Sequence, residues 1–178
     1  MSNIRKQANG KPTKAYSSWL GIKQRIRENV DGVDGVLCSE FQKFEDYHDW
    51  YTSQKGYDIS GWRLHKKVFD KNNNVYSPET LCFLPQILTS AIQVNKAARG
   101  KYPIGVYHNI KTGCIQAFMS YGKNQSVCLG SFNNAIDAFK VYKKEKERYV
   151  HSVANEYKHM LDQRAYIALM NYTVEITD

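Results

Sequence analysis

The sequence has few of the features that mark secreted or membrane proteins. It contains no apolar run near the roughly 20 residues that a membrane-spanning helix needs. The first ten residues are polar and charged, so we expect no signal peptide. The four cysteines are widely spaced and include no CxxC pair, which argues against a zinc site and a disulfide framework. We therefore expect a cytoplasmic protein with reduced thiols and no membrane partner.

The sequence also lacks a glycine-rich phosphate loop, a Ser/His/Asp set and internal repeats. What it has in excess is positive charge and aromatic rings. The chain of 178 residues carries 25 Lys and Arg against 17 Asp and Glu, a formal net charge of +8, and 13 Tyr. Such a charge attracts polyanions, but basic proteins that have no nucleic-acid partner can have the same composition. The charge favours a nucleic-acid partner without requiring one.

The N-terminal half predicts a basic arm followed by two amphipathic helices. Residues 1–15 are basic and are interrupted by Gly and Pro, which is typical of a flexible arm. The run AYSSWLGIKQRIREN predicts a helix with Arg25 and Arg27 on its outer side. A second helix is expected after Ser39 as its N-cap. Its apolar stripe, which we expect in the core, consists of Phe41, Phe44, Tyr47, Trp50 and Tyr51.

The remainder predicts an α+β protein with two modules. GWRLHKKVF and SPETLCFLP read as two strands around the loop DKNNN, and Pro85 opens a helix, which makes a ββα unit. Three further strands, GVYHN, CIQAFMSY and SVCLGSF, precede a long helix with an expected break near Val150–Ser152. The predicted divisions are an arm at 1–15, a ββα module at 16–98, a three-stranded sheet packed on a helix at 99–150 and a helical extension at 151–178.

Period-2 alternation divides the side chains of the second sheet between two faces. One face, against the helix, is predicted to carry Ile115, Ala117, Met119, Val127 and Leu129. The opposite face is predicted to carry Cys114, Gln116, Phe118, Ser120, Ser126 and Cys128. A sheet with a helix on one side leaves its other side free to bind a partner.

The segment GVYHNIKTGCIQAFMSYGKNQSVCLGSFNNAIDAFKVYKKEKE resembles the APETALA-type DNA-binding domain of ethylene-response factors, which phages also carry behind HNH nucleases. The matching pieces include Gly105-Val106, Ala117 and Leu129-Gly130. The resemblance implies that the free face lies in the DNA major groove, where family members usually place several Arg or Lys. This chain offers Tyr107, Asn109, Gln116, Phe118, Ser120, Ser126 and Cys128 there. Its positive charges are expected at the rim, at Arg99, Lys101, Lys111 and Lys123.

The segment WRLHKKVFDKNNNVYSPETLCFLPQILTSAI resembles the C-terminal part of a phage HNH (ββα-metal) nuclease module. The resemblance implies one divalent metal and a base that activates water. Related proteins read Leu-Asp-Lys-Asp where this chain has Leu64-His65-Lys66-Lys67, and an Asn where it has Thr89. His65 is the remaining catalytic candidate, and His65, Asp70 and Glu79 are the candidate metal ligands. Alternatively, His65 is an exposed strand residue, Asp70 is a turn residue, and Glu79 is a helix or turn cap.

These observations predict a DNA-binding protein derived from a phage HNH homing endonuclease, with its nuclease centre degraded. Its partner is expected to be double-stranded DNA in the host cytoplasm, and no cofactor is expected. The cations expected to grip phosphates in the first module are Arg25, Arg27, Arg63, Lys66 and Lys67. One alternative is a phage protein repurposed to bind and modulate a host protein. The other is an active nicking endonuclease that uses Mg²⁺ or Mn²⁺.

Overall fold

The computed structural model describes residues 4–29, 35–94, 100–122 and 125–178. These residues form a mixed α+β protein with five α-helices and three small sheets. The chain divides into two compact units. The first comprises residues 1–85 with 160–165, and the second comprises residues 86–159 with 166–178. The α+β class predicted from the sequence is therefore confirmed.

The first helix, α1 (Lys14–Glu28), lies where the apolar period predicts it. Thr13 caps it, because its Oγ1 accepts a hydrogen bond from the Tyr16 N–H at 3.2 Å. The helix ends at Asn29, which has a left-handed conformation with φ of 47°. Ile22 is buried on the inner side of the helix, whereas Arg25 and Arg27 are exposed.

Residues 4–13, expected to be a flexible arm, form a hydrogen-bonded hairpin. Lys6 and Pro12 make an antiparallel bridge, and the Thr13 N–H donates to the Arg5 carbonyl at 3.0 Å. The Arg5 guanidinium donates to the Glu45 carboxylate at 2.8 Å, and Ile4 packs against the core of the first unit. One charge of the basic arm is thus paired within the protein.

The second helix, α2 (Phe44–Ser53), begins five residues later than its predicted cap. Ser39 instead starts a 3₁₀ turn, Ser39–Phe41, and the N-cap position of α2 is Lys43. The predicted cap at Ser39 was therefore wrong. The turn allows Phe41 to enter the core beside the residues of α2.

The aromatic stripe is in the core, as the helical spacing predicts. Phe41, Phe44, Tyr47 and Tyr51 are buried, and the Phe41 and Tyr47 rings meet edge to face with centroids 5.0 Å apart. The polar atoms of this core are paired. The Tyr47 and Ser18 hydroxyls are 2.8 Å apart, and the indole N–H of Trp19 donates to the Phe41 carbonyl at 2.8 Å.

Four short strands complete the first unit: β1 (Val36–Leu37), β2 (Trp62–His65), β3 (Val75–Tyr76) and β4 (Cys82–Pro85). Strands β2 and β4 pair in antiparallel fashion, and α3 (Gln86–Ile92) follows directly. The two predicted strands and the helix are present, but β3 lies between the strands and α3 falls in the other unit, so the predicted ββα module is not confirmed. Two features were not expected. Val75–Tyr76 pairs in parallel with β1, and α3 belongs to the second unit although the sequence analysis placed it in the first module.

Residues 160–165 return to the first unit from a distant part of the sequence. Leu161 and Ala165 are buried there, and the Lys55 ammonium donates to the Leu161 carbonyl at 3.3 Å. The Arg164 guanidinium lies 5.4 Å from the centroid of the Phe69 ring. The C-terminal segment therefore supplies part of the first unit's interior.

The second unit contains the three-stranded sheet that the alternation predicts. Strands β5 (Val106–His108), β6 (Ile115–Ser120) and β7 (Ser126–Phe132) are antiparallel in the order β5-β6-β7. Helix α4 (Ala135–Glu156) covers one face, and the last helix, α5 (Gln163–Met170), begins in the segment that belongs to the first unit. The core between sheet and helix contains Val106, Ala117, Met119, Ala138, Phe139, Tyr142 and Val174.

A β-bulge interrupts the alternation of side chains along β7 after Cys128. Ala117 pairs with Gly130 and Phe118 with Cys128, so Leu129 is the extra residue. Beyond the bulge the alternation is reversed, and Phe132 rather than Ser131 packs against the helix side. Val127 pairs with buried Met119 but is itself 47% exposed, because it lies at the end of an edge strand.

The long helix is continuous through the expected break. Val150 is fully buried in the middle of α4, and Val153 and Ala154 continue the buried stripe. The predicted break at 150–152 was therefore wrong, and the helix ends at Glu156. Among the helices described, none has the length and apolar character needed to cross a membrane.

Candidate nucleic-acid interface

The three-stranded sheet presents one face to solvent. Because α4 packs on the other side, the side chains that alternate away from it remain uncovered within the second unit. Tyr107 is 59% exposed, and the serines and Cys128 of this face are also exposed. We call this surface the open face, and its residues are Tyr107, Gln116, Phe118, Ser120, Ser126, Cys128 and Ser131.

The side chains of the open face are held by contacts with one another. The Tyr107 and Phe118 rings meet edge to face, with centroids 5.7 Å apart and an interplanar angle of 83°. Gln116 lies between neighbours on both sides: its Oε1 accepts from the Asn109 amide at 3.2 Å, and its Nε2 donates to the Ser131 hydroxyl at 3.3 Å. These contacts orient the amide while leaving it hydrogen-bonding capacity for a ligand.

Asn109 has a local structural role as well as a place beside the open face. Its Oδ1 accepts hydrogen bonds from the N–H groups of Lys111 and Thr112, at 3.0 and 3.3 Å. This arrangement closes the turn between β5 and β6. The side-chain oxygen of Asn109 thus already accepts two hydrogen bonds within the turn. Gln116 is therefore the better candidate for contacting a base.

Positive charge lies at the rim of this sheet rather than on the open face, whose seven residues include no Lys or Arg. Lys101 and Lys111 are exposed, and Lys111 follows Ile110, which is 89% exposed at the tip of the β5–β6 turn. The predicted rim residues Arg99 and Lys123 lie outside the described residues. An uncharged centre with cations at the edge is the arrangement that the sequence indicates.

The predicted phosphate-binding residues of the first unit differ in exposure and in the contacts that their side chains make. Arg63, within β2, and Lys67, two residues beyond its end, are exposed. The Lys66 ammonium instead donates to the Tyr76 hydroxyl at 2.9 Å and lies 4.5 Å from the centroid of that ring. Lys66 therefore stabilises the structure around β3, and Arg63 and Lys67 are better placed to meet a phosphate.

The structure gives His65 a local partner. It is the last residue of β2, and its Nδ1 accepts a hydrogen bond from the Lys67 N–H at 3.2 Å. Burial, with a smaller contribution from the nearby Lys67 charge, lowers the pKa of His65 to about 4. The ring is therefore neutral near pH 7, with its proton on Nε2 and its Nδ1 lone pair directed at the backbone.

The other two candidate ligands each belong to a separate turn. Asp70 accepts a hydrogen bond from the Asn72 N–H at 2.8 Å, which makes it a turn residue. Glu79 accepts from the Ser77 hydroxyl at 2.7 Å, and this hydrogen bond is the main reason why its pKa is lowered. Over the described ranges, no three His, Cys, Asp or Glu side chains are placed to hold a metal ion together. Among the described residues, His65, Asp70 and Glu79 thus do not form one such group.

A cationic stripe on α4 was missed by the sequence analysis. Lys140, Lys144, Arg148 and His151 follow one another at intervals of four, four and three residues, so they share one side of the helix. The signal was present in the run KVYKKEKER. The apolar positions of the same helix give the stronger periodic pattern and determine which side packs on the sheet. We call these four residues the α4 stripe.

Comparisons of the chain with protein-family models, with curated proteins and with solved structures found no match. The geometry of the two units and the sequence patterns described above are therefore the basis for proposing a function.

Proposed function

We propose that the protein binds double-stranded DNA through the open face of its three-stranded sheet. The observation that carries this proposal is the exposed, uncharged surface of aromatic, amide and hydroxyl groups opposite α4. A major groove about 12 Å wide admits a narrow β-sheet. The net charge of +8 would draw such a surface to DNA.

Gln116 is the central residue of this proposal. A glutamine amide can both donate to and accept from adenine in the major groove. The hydrogen bonds from Asn109 and to Ser131 hold the Gln116 amide in place, so little conformational entropy is lost when it meets a base. Tyr107 and Phe118, at the side of Gln116, supply apolar surface that suits a thymine methyl group.

Binding is tested by fluorescence anisotropy with a mixed-sequence duplex of about 20 base pairs. We expect affinity to fall by at least 100-fold between 50 and 200 mM salt, because phosphate contacts release counterions. Absence of binding at the lower salt concentration would remove the proposal. Addition of Mg²⁺ or Mn²⁺ with product analysis on a denaturing gel is expected to show intact DNA, and cleavage would restore His65 as a catalytic candidate.

The role of the open face is tested by selecting duplexes from a random-sequence pool. We expect the native protein to enrich a short motif, and Gln116→Ala to lose preference at one position, by roughly 5-fold to 150-fold. Gln163→Ala is the matched control, since it makes the same change at an exposed position in the segment that belongs to the first unit. Equal motifs for both variants would show that Gln116 reads no base.

A host protein is the second candidate partner, favoured by the lack of cations on the open face and by the exposed Tyr107–Phe118 pair. The substitution Phe118→Asp tests this candidate when the readout is co-purification of a host protein, because DNA binding would be weakened as well. The substitution would abolish a stable protein complex, because an aspartate cannot be buried unpaired in an apolar interface. We also propose descent from a phage HNH nuclease, which the sequence resemblance and the order β2, β4, α3 support.

A further inference from the structure

The α4 stripe is a continuous cationic surface. At 1.5 Å of rise per residue, Lys140, Lys144 and Arg148 lie about 6 Å apart along the helix axis. Together with Lys143, Glu147 and His151 they line an open depression of about 440 Å³. Five of these six side chains are basic and one is acidic, so the depression suits an anionic ligand.

The acidic neighbours of the stripe leave its charge available. Arg148 makes a bidentate pair with Glu145, Nε to Oε2 at 2.9 Å and Nη2 to Oε1 at 2.6 Å, but its side chain is 66% exposed, and its remaining N–H donors are open to a phosphate. Lys140 pairs with Asp137 through a single contact at 3.1 Å and is 71% exposed. Exposed pairs of this kind contribute little and exchange readily for other anions. Lys144 is exposed, and across the residues that the structure describes no ion pair engages it.

Glu147, the acidic residue of the depression, is engaged elsewhere. Its carboxylate accepts a hydrogen bond from the Val174 N–H at 2.9 Å and pairs with Lys143 at 2.9 Å. The Lys143 ammonium also donates to the Val174 carbonyl at 2.6 Å. These two side chains therefore fasten the C-terminal segment to α4. The remaining cations of the depression are those of the α4 stripe.

His151 adds an unsatisfied polar atom at the end of the stripe. Its Nε2 is buried and, within the described part of the chain, has no hydrogen-bond partner. Buried polar atoms in folded proteins are nearly always paired. An oxygen of a bound anion, or a water held by it, would satisfy this nitrogen after a small movement of the ring.

The stripe and the open face lie on opposite sides of the second unit. Ala138, Phe139 and Tyr142 of α4 pack against the inner face of the sheet. The stripe residues project from the other side of the same helix, since they are offset from these positions around the helical turn. A single groove that receives the open face cannot also contact the stripe.

We propose that the α4 stripe is a second nucleic-acid surface, which binds the sugar-phosphate backbone of another duplex or duplex segment by charge and supplies the larger part of the salt-dependent, sequence-independent affinity. The inference rests on the proposed DNA binding and adds that separate surfaces of the second unit contact the bases and the phosphates. The open face contacts bases and is uncharged. The stripe contacts phosphates and is indifferent to sequence.

The test compares two double variants of the full chain that have the same net charge. Lys144→Gln with Arg148→Gln removes two charges from the stripe, whereas Lys43→Gln with Lys158→Gln removes two exposed charges elsewhere. Binding to the mixed-sequence duplex is measured by anisotropy at several salt concentrations. All four positions are exposed, and thermal melting confirms that both variants fold.

We expect the stripe variant to reduce the slope of log K against log salt by about 1.8, because each lost phosphate contact contributes about 0.9. At 0.1 M salt its affinity should fall by roughly 10-fold to 100-fold, against less than about threefold for the control. Equal slopes for the two variants would overturn the inference while leaving the proposed DNA binding in place. Failure of the native protein to bind at low salt would instead refute the proposed function itself.

Discussion

Gly105 lies directly against the ring of Tyr142. A Cβ atom placed on Gly105 would overlap the Cδ2, Cε2 and Cγ atoms of that ring. Gly105 also has a φ of 74°, a conformation that other residues adopt at a cost. The pair fixes the distance between α4 and the start of β5, and therefore the position of the whole sheet on its helix.

The contact predicts that Gly105→Ala is markedly destabilising. We expect a loss of roughly 3 kcal/mol in the free energy of unfolding, from the positive φ and from the overlap with Tyr142. Gly113→Ala is the matched control, because Gly113 has a φ of 71° and nothing within 4 Å of its Cβ position. That variant should lose only about 1 kcal/mol. Equal losses in urea denaturation followed by far-ultraviolet circular dichroism would show that the ring can move aside.

Leu161 is expected to be important for the first unit although it lies near the end of the chain. It is almost fully buried, so Leu161→Ala should cost roughly 2–4 kcal/mol. All three tryptophans lie in the first unit, so tryptophan fluorescence reports its unfolding. The control Met160→Ala, at a position 43% exposed, should change the midpoint little. An unchanged fluorescence transition in Leu161→Ala would contradict the assignment of this segment.

Lys146 is a buried lysine whose replacement should stabilise the protein. Burial lowers its pKa to about 8 from 10.5, so the unfolded chain binds the proton more tightly than the folded one. The free energy of unfolding therefore decreases as the pH falls from about 10.5 to 8, because Lys146 takes up its proton more readily in the unfolded chain. We expect Lys146→Met to raise the melting temperature at pH 7 and to gain less at pH 10. Lys158→Met, at an exposed position, should do neither.

His65 should make stability depend on pH in the acid range. Its folded pKa of about 4 lies below its usual value of 6.5, so its contribution is complete above pH 6.5 and is lost as the pH falls to about 4. His65→Asn retains an acceptor for the Lys67 N–H and removes the titration. The variant should lose less stability than the native protein between pH 7 and pH 4. His159→Asn, on an exposed residue, serves as the control.

The sequence was informative where a pattern extended over many residues. Period-2 alternation located β6 and β7, and the aromatic spacing located the core around Tyr47. It was uninformative where structure depends on one residue or on distant pairing. The bulge at Leu129 depends on the partner strand, and the pairing of β1 with β3 involves two residues from each. Neither leaves a periodic signal in its own segment.

The sequence predicted the part of the candidate site that follows from local alternation and missed the part that depends on contacts between side chains. Alternation along β6 assigned Gln116 and Phe118 to the exposed side, which requires only local geometry. The commitment of Asn109 to its turn, and of Lys66 to Tyr76, depends on hydrogen bonds that residue type alone does not specify. The low pKa of His65 likewise arises mainly from burial, which residue type alone does not specify.

Because residues 160–165 return to the first unit, each unit is built from two separate stretches of the chain: 1–85 with 160–165, and 86–159 with 166–178. The chain therefore crosses between the units at Pro85–Gln86, at His159–Met160 and at Ala165–Tyr166. No single truncation isolates either unit intact: a fragment ending at Pro85 lacks Leu161 and Ala165, and one beginning at Gln86 carries them without their surroundings. Cloned fragments of this protein should therefore carry both stretches of one unit joined by a short linker, since a cut at any one position separates a unit from part of itself.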